Sequence, residues 1–172
     1  NYNNKTLFQN TCERLLSLEQ LDQPIIICNQ EHRFIVAEQM RKTGIKPKSI
    51  LLEPIGKGTC AAVAIASLKA VEHDENPYLI VMSSDHAIKN NKKFIEAIKE
   101  GLKYAEKGQL VTFGIKPTSP ETGYGYIEFI ENLEKKFIGS QIKRFIEKPN
   151  LKKAKKIIKK KAYWNSGMFF LT

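Results

Sequence analysis

The chain is poor in cysteine, poor in arginine and free of long apolar runs, and each shortage closes off a class of protein. Its three cysteines, Cys12, Cys28 and Cys60, are widely and unevenly spaced, with no C-x-x-C pair and no metal-ligand spacing. So sparse and odd a set argues against a disulfide framework and for reduced thiols in a cytoplasmic protein. Cys28 and Cys60 are expected as small buried apolar side chains. No apolar stretch approaches the roughly 20 residues that a membrane-spanning helix needs, and no signal-peptide pattern is present. The chain opens straight into a helix-like segment, so the natural N-terminus is expected further upstream.

Arginine supplies only 4 of the 28 basic residues, lysine the other 24. The formal net charge of +10 invites a nucleic-acid partner. Surfaces that read bases and clamp phosphates lean on Arg, so the balance speaks against one. The densest basic cluster runs from Lys148 to Lys161. Within it Leu151, Ala154, Ile157 and Ile158 recur at helical spacing, which predicts a core-facing stripe with the lysines on the solvated side. Neither nucleic acid nor membrane is an expected partner; association of identical copies is left open.

What is present is ordinary globular material. A chain of 172 residues with 42% hydrophobic and 27% charged residues fits one domain with a real core. The periodicity predicts a helix over 6–19, a buried strand over 24–28, and a helix over 31–42 capped by Asn29 and ended by Gly44. A strand over 49–52 and an Ala-rich helix over 59–72 follow. A buried strand over 78–82, a helix over 94–106 and a strand over 110–115 complete the alternation. It predicts an α/β fold: a mostly parallel sheet with helices on both faces and ligands at the carboxyl ends of its strands. Longer strands over 124–131 and 137–147 predict an antiparallel extension.

Polar groups collect where these strands end. Phe145-Ile146-Glu147-Lys148-Pro149 and Tyr163-Trp164-Asn165-Ser166-Gly167-Met168-Phe169 each read as an apolar strand closing on polar groups. Together they offer a carboxylate, an ammonium, an amide and a hydroxyl. Carboxylate and amide suit sugar hydroxyls; an ammonium suits a phosphate. Glu53-Pro54-Ile55-Gly56-Lys57-Gly58-Thr59 lies between a strand and a helix N-terminus. Gly56 and Gly58 allow close approach, and the free N–H groups favour an anion or the acceptor edge of a base. The spacing is not that of a P-loop. Asp85-His86 ends a buried strand, where one carboxylate suits Mg²⁺ if phosphates supply the other ligands. Pro117 to Tyr126 forms a stiff loop in which Gly123 and Gly125 flank Tyr124.

The order of these motifs resembles the mannose-1-phosphate guanylyltransferase family of bacterial sugar nucleotidyltransferases. The resemblance rests on Glu53-Pro54-x-Gly56, Ser84-Asp85-His86, Thr112-Phe113-Gly114-Ile115 and Pro117 to Tyr126. Phe145 to Pro149 and Trp164 to Phe169 complete it. Glu31-His32-Arg33-Phe34 and Ala37-Glu38-Gln39 are also similar to that family, and the likeness runs from about Thr6 to the end. It implies a Rossmann-like nucleotidyltransferase domain that joins GTP and mannose 1-phosphate, with Mg²⁺, and releases pyrophosphate. By matching position it implies Asp85 as metal ligand, with Lys148 opposite the sugar phosphate. It also places Glu53 and Gly56 in the base loop and Gly123, Glu147, Lys148 and Asn165 in the sugar-phosphate site; Gly58, Tyr124 and Ser166, their neighbours in the same motifs, are further candidates for binding substrate. The family's glycine-rich signature and second metal-binding Asp have no counterpart within 1–172, so the domain is expected to be incomplete at both ends. Lys57-Gly58 stands where the family usually has Arg-Asn. Another sugar or base, or a regulatory subunit without activity, are the alternatives.

Overall fold

The computed structural model describes residues 4–72, 75–130 and 139–172. It divides the chain into two compact units, Asn1–Ile95 and Glu96–Thr172.

The first unit alternates helix and strand. Thr6 opens α1 (Leu7–Glu13) with a reciprocal cap: its side chain accepts from the Gln9 N–H while the Gln9 side chain accepts from the Thr6 N–H. The Thr6 hydroxyl also donates to the Gln39 side chain. The predicted helix to Glu19 stops early. Arg14, Leu16 and Leu18 donate three residues back, to Thr11, Glu13 and Leu15, so the chain tightens into turns.

Strands β1 (Ile25–Asn29) and β2 (Ser49–Glu53) pair in parallel, from Ile25 opposite Ser49 to Asn29 opposite Glu53. β1 is half-buried along its length, less than its Ile-Ile-Ile run predicts. Asn29 does act as a cap, but on a single 3-10 turn, Gln30–His32. Helix α2 (Arg33–Thr43) follows and ends at Gly44, whose φ of 72° is the left-handed closure expected of glycine. Helix α3 (Thr59–Val71) follows β2, and the short β3 (Leu79–Val81) comes next. β3 too is half-buried, not buried. Helix α4 (Asn91–Ala105) carries the chain out of this unit.

The second unit is antiparallel. β4 (Val111–Ile115), β5 (Tyr126–Phe129), β6 (Ile142–Ile146) and β7 (Tyr163–Leu171) pair in the order β4-β7-β5-β6. The alternation up to residue 115 predicts a parallel place for β4; it lies antiparallel to β7 instead. The predicted strand over 137–147 is described only from residue 139; residues 131–138, which also take in the last position of the predicted strand over 124–131, lie outside the described residues. Helix α5 (Leu151–Lys159) is capped by Asn150, whose side-chain oxygen accepts from the Lys153 N–H at 2.9 Å. Ala154 and Ile157 are buried with Tyr126, Ile146 and Ala162, with Ile158 and Trp164 packed alongside. Leu151, placed in the stripe by its spacing, is half exposed at the helix start, and the lysines of α5 are exposed.

Among the described residues no helix is long and apolar enough to cross a membrane. The cysteines are free. Cys28 is half-buried, but Cys60, expected inside, is exposed because it lies in the first turn of α3 beside an open loop.

Candidate active site

In the first unit the site residues sit on loops. Glu53 ends β2, half-buried, and its charge adds to burial in pushing the Cys28 thiol up. From Pro54 to Gly58 the chain is exposed. Gly58 takes φ 86°, ψ 173° as the residue before α3, where an L side chain is strained. A Cβ at Gly56 or Gly58 would meet nothing within 4 Å, so Gly58 is required by its backbone and not by crowding. α3 starts with no side-chain cap and no acidic residue in its first turn, which leaves its first N–H groups to an external acceptor.

Asp85 sits on the turn after β3, with His86 Nε2 3.8 Å from its Oδ1. The sequence places this carboxylate at the end of a buried strand; its side chain is in fact 80% exposed. What holds the turn is a residue that the motifs do not reveal. Arg14 is 7% exposed; its Nη2 donates to the His86 carbonyl at 2.9 Å and its Nη1 to Thr11 Oγ1 at 3.2 Å. The guanidinium lies 5.7 Å from the Phe94 ring centre, and the Arg14 carbonyl accepts from Asn91 Nδ2. Burial lowers its pKa, a direction that leaves an arginine charged. Among the described residues no cluster of three His, Cys, Asp or Glu side chains could hold a metal by itself.

In the second unit the site residues are built into strands. Between the pairs Thr112–Phe169 and Gly114–Asn165, β4 advances two residues while β7 advances four. β7 therefore arches out over Ser166, Gly167 and Met168, and Gly167 takes φ 70° to make the bend. The Thr112 hydroxyl spans this arch. It stands 2.8 Å from Asn165 Oδ1 and 3.1 Å from the Met168 carbonyl, able to donate to either. Ser166 is 5% exposed, and its Oγ accepts from the Met168 N–H inside the arch. Thus Asn165 and Ser166, paired by their sequence position, are separated: Ser166 shares the buried alternate positions with Met168 and Phe170.

Around Gly125 the structure gathers three expected residues. The Asn165 N–H donates to the Gly125 carbonyl at 2.8 Å. A Cβ on Gly125 would lie 2.7 Å from Phe145 Cζ and 3.0 Å from Glu147 Oε2, so only glycine fits beneath that carboxylate. Tyr124 meets Trp164 edge-on at 5.1 Å. Tyr126 fixes the preceding loop by donating to the Glu121 carbonyl at 2.7 Å. Gly123, by contrast, faces open space, so its flat packing against a ligand has no counterpart in crowding there. The Trp164 indole N–H is buried with no partner among the described residues.

Lys148 follows Glu147 with its Nζ 3.7 Å from Glu147 Oε1. Ile146 and Pro149 are buried on either side, so two anchors bracket an exposed acid–base pair. Lys148 also takes φ 37°, a left-handed conformation unusual for a residue with a side chain. Strain of this kind persists only where neighbours enforce it, and it concentrates at functional sites.

The whole of 1–172 matches the family described as Nucleotidyl transferase, and the chain belongs to that family. It is 46% identical, over 97% of its length, to mannose-1-phosphate guanylyltransferase of Escherichia coli, covering 37% of that protein. It is 47% identical, over 85% of its length, to the xanthan biosynthesis protein XanB of Xanthomonas campestris pv. campestris, covering 31% of that protein. The crystal structure of mannose-6-phosphate isomerase from Helicobacter pylori superposes with a TM-score of 0.84 at 38% identity, over 97% of this chain and 61% of that one. The chain thus spans about a third of the length of these curated relatives.

Proposed function

We propose that this domain serves a transfer of the guanylyl group from GTP to mannose 1-phosphate, giving GDP-mannose and pyrophosphate. The observation that carries the reading is the cluster at Gly125. A carboxylate, an amide and an aromatic edge are held together there beside an exposed ammonium, on a chain 46% identical to a mannose-1-phosphate guanylyltransferase.

In this reading Glu147 and Asn165 bond sugar hydroxyls, and Lys148 neutralises the sugar phosphate. The loop from Glu53 to Gly58 and the first N–H groups of α3 receive the base. An oxygen of the sugar 1-phosphate attacks the α-phosphorus of GTP; the new P–O bond forms as the bond to the leaving pyrophosphate breaks. That oxygen is already ionised, so no general base is assigned, and positioning with charge neutralisation supplies most of the rate.

Mg²⁺ is the cofactor that this chemistry calls for, neutralising charge across the phosphates when bound. An exposed carboxylate on an anchored turn, with no cluster of three possible ligands among the described residues, fits a cation that takes most of its ligands from phosphate and water, and Asp85 is the residue that would hold it. Free thiols fit a cytoplasmic setting.

The test is pyrophosphate release by the whole protein with panels of nucleoside triphosphates and sugar 1-phosphates. GTP with mannose 1-phosphate should lead on both axes. Preference for another pair would move the specificity to a different sugar or base. Release with no pair at all would leave the domain as a binding module.

A further inference from the structure

Asn165 can serve a sugar hydroxyl in two ways, through its amide N–H donors or its carbonyl acceptor, and rotating the amide by half a turn exchanges them. Its main-chain N–H is already committed to the Gly125 carbonyl, so the strand position is fixed and only the side chain has this freedom. Thr112 removes it. The Thr112 side chain comes from the neighbouring strand, 53 positions away in sequence, and its hydroxyl lies 2.8 Å from Asn165 Oδ1 and 3.1 Å from the Met168 carbonyl. Asn165 is the paired residue at one end of the β7 arch, and Met168 is the last arched residue before pairing resumes at Phe169.

We propose that Thr112 is a positioning residue: its hydroxyl donates to the Asn165 oxygen at the edge of the arch, so that the amide presents its N–H donors to an acceptor oxygen of the sugar. A local contrast supports this. Ser166, within the same arch, is buried and accepts the Met168 N–H on its hydroxyl oxygen, so it helps to hold the bend. Gly114, the residue opposite Asn165, has no side chain to interfere; a Cβ there would come within 2.9 Å of Tyr163. Thr112 is therefore the side chain on β4 within hydrogen-bond distance of the amide oxygen. The proposal rests on the reading that Asn165 meets the sugar, and it adds which face of the amide does so and what fixes it.

Thr112→Val keeps the branched shape and removes the hydroxyl. In the whole protein it should raise KM for mannose 1-phosphate about three- to tenfold, the worth of one ordinary hydrogen bond, and leave KM for GTP within about twofold. Thr112→Ser should restore the parent value. In the Asn165→Ala background, Thr112→Val should add nothing further. Equal rises in both KM values, full additivity with Asn165→Ala, or failure of the serine variant to rescue would overturn the proposal. A crystal structure of Thr112→Val keeps the two ideas separable. If Asn165→Ala leaves the sugar KM unchanged, the sugar-site reading fails. The positioning role then stands or falls on whether the Asn165 amide has turned or lost its fixed place in that structure; an amide in its original orientation sinks it.

Discussion

The two units arrange their site residues in opposite ways. In the first, Gly56, Gly58 and Asp85 lie on exposed turns with open space around them, and the fixed elements are backbone: a glycine at positive φ, uncapped helix N–H groups, and a carbonyl held by Arg14. In the second, Tyr124, Glu147 and Asn165 crowd about one glycine, held by side-chain contacts, an arch in β7 and a lysine at positive φ. Open main-chain donors suit a ligand rich in acceptors, such as a base edge or a phosphate. Clamped side chains suit a small ligand whose hydroxyls must be told apart. The contrast fits the proposal that the nucleotide meets the first unit's residues and the sugar phosphate the second's.

The sharpest way to break it is Asp85→Asn. The side chain is 80% exposed, so folding should be indifferent and the melting temperature unchanged. Turnover with Mg²⁺ should fall on the order of 100-fold or more, since a metal ligand supports several kcal/mol of charge stabilisation. Wild-type turnover with an unaltered Mg²⁺ requirement would strip Asp85 of its role.

Lys148→Ala comes next and tests the other unit. Loss of a charged contact to phosphate costs about 1.5–3 kcal/mol, or roughly ten- to a hundredfold in KM for the sugar 1-phosphate. A rise confined to KM for GTP would hand Lys148 to the nucleotide and erase the division between the units.

The same contrast explains what the sequence could and could not disclose. The order of strands and helices is legible from periodicity, and β1, α2, β2 and α3 fall within a few residues of where the pattern puts them. The Glu53 loop and the Asp85 turn are also legible, because glycines and a lone carboxylate between a strand and a helix mark a loop directly. Pairing is not legible. Nothing in Val111–Ile115 says that it lies antiparallel to a strand some 50 residues on, and the arch over Ser166 to Met168 depends on that register. Hence the sequence sets Asn165 beside Ser166, and it shows Thr112 only as part of a motif, without its contact to Asn165. Gly167 was the one local signal, a glycine inside an apolar strand, which often marks a bulge. Arg14 was hidden for a similar reason: on a helix pattern it is one more charged residue, and only the fold brings His86 to it. The exposure of Cys60 follows from its place in the first turn after an open loop, where helical periodicity is not yet established.

Two glycines in one loop sharpen the backbone half of the comparison. Gly58→Ala must hold an L residue at φ 86°, costing about 1–3 kcal/mol or a shifted loop. It should raise KM for GTP and leave KM for mannose 1-phosphate alone. Gly56→Ala meets open space at an unstrained φ, so its stability should stay within about 0.5 kcal/mol of the parent in a melting experiment, with a smaller rise in KM for GTP than Gly58→Ala. Equal effects at the two positions would mean that the loop's conformation is not what recognises the nucleotide.

The smallest expected effect uses two thiols of the first unit as reporters. Cys60 is exposed in the first turn of α3, next to Gly58. Cys12 is half-buried on α1 with its sulfur 3.5 Å from the Met40 sulfur, and burial, helped by the Glu13 charge, pushes its pKa up to about 11. The thiolate is the reactive form, so near neutral pH a thiol reagent should modify Cys60 first and Cys12 much later. Between the ordinary thiol value of 9.0 and about 11, an unfolded Cys12 loses its proton before a folded one does. Folding stability should therefore fall as pH rises through that window, and Cys12→Ala should flatten the fall. GTP is the decisive addition. If the nucleotide rests on the Gly56–Gly58 loop, it should slow labelling of Cys60 severalfold and leave Cys12 unaffected, and mannose 1-phosphate alone should slow neither. Protection of Cys60 by mannose 1-phosphate alone would place sugar chemistry on the first unit's open loop and reverse the division on which the other predictions depend.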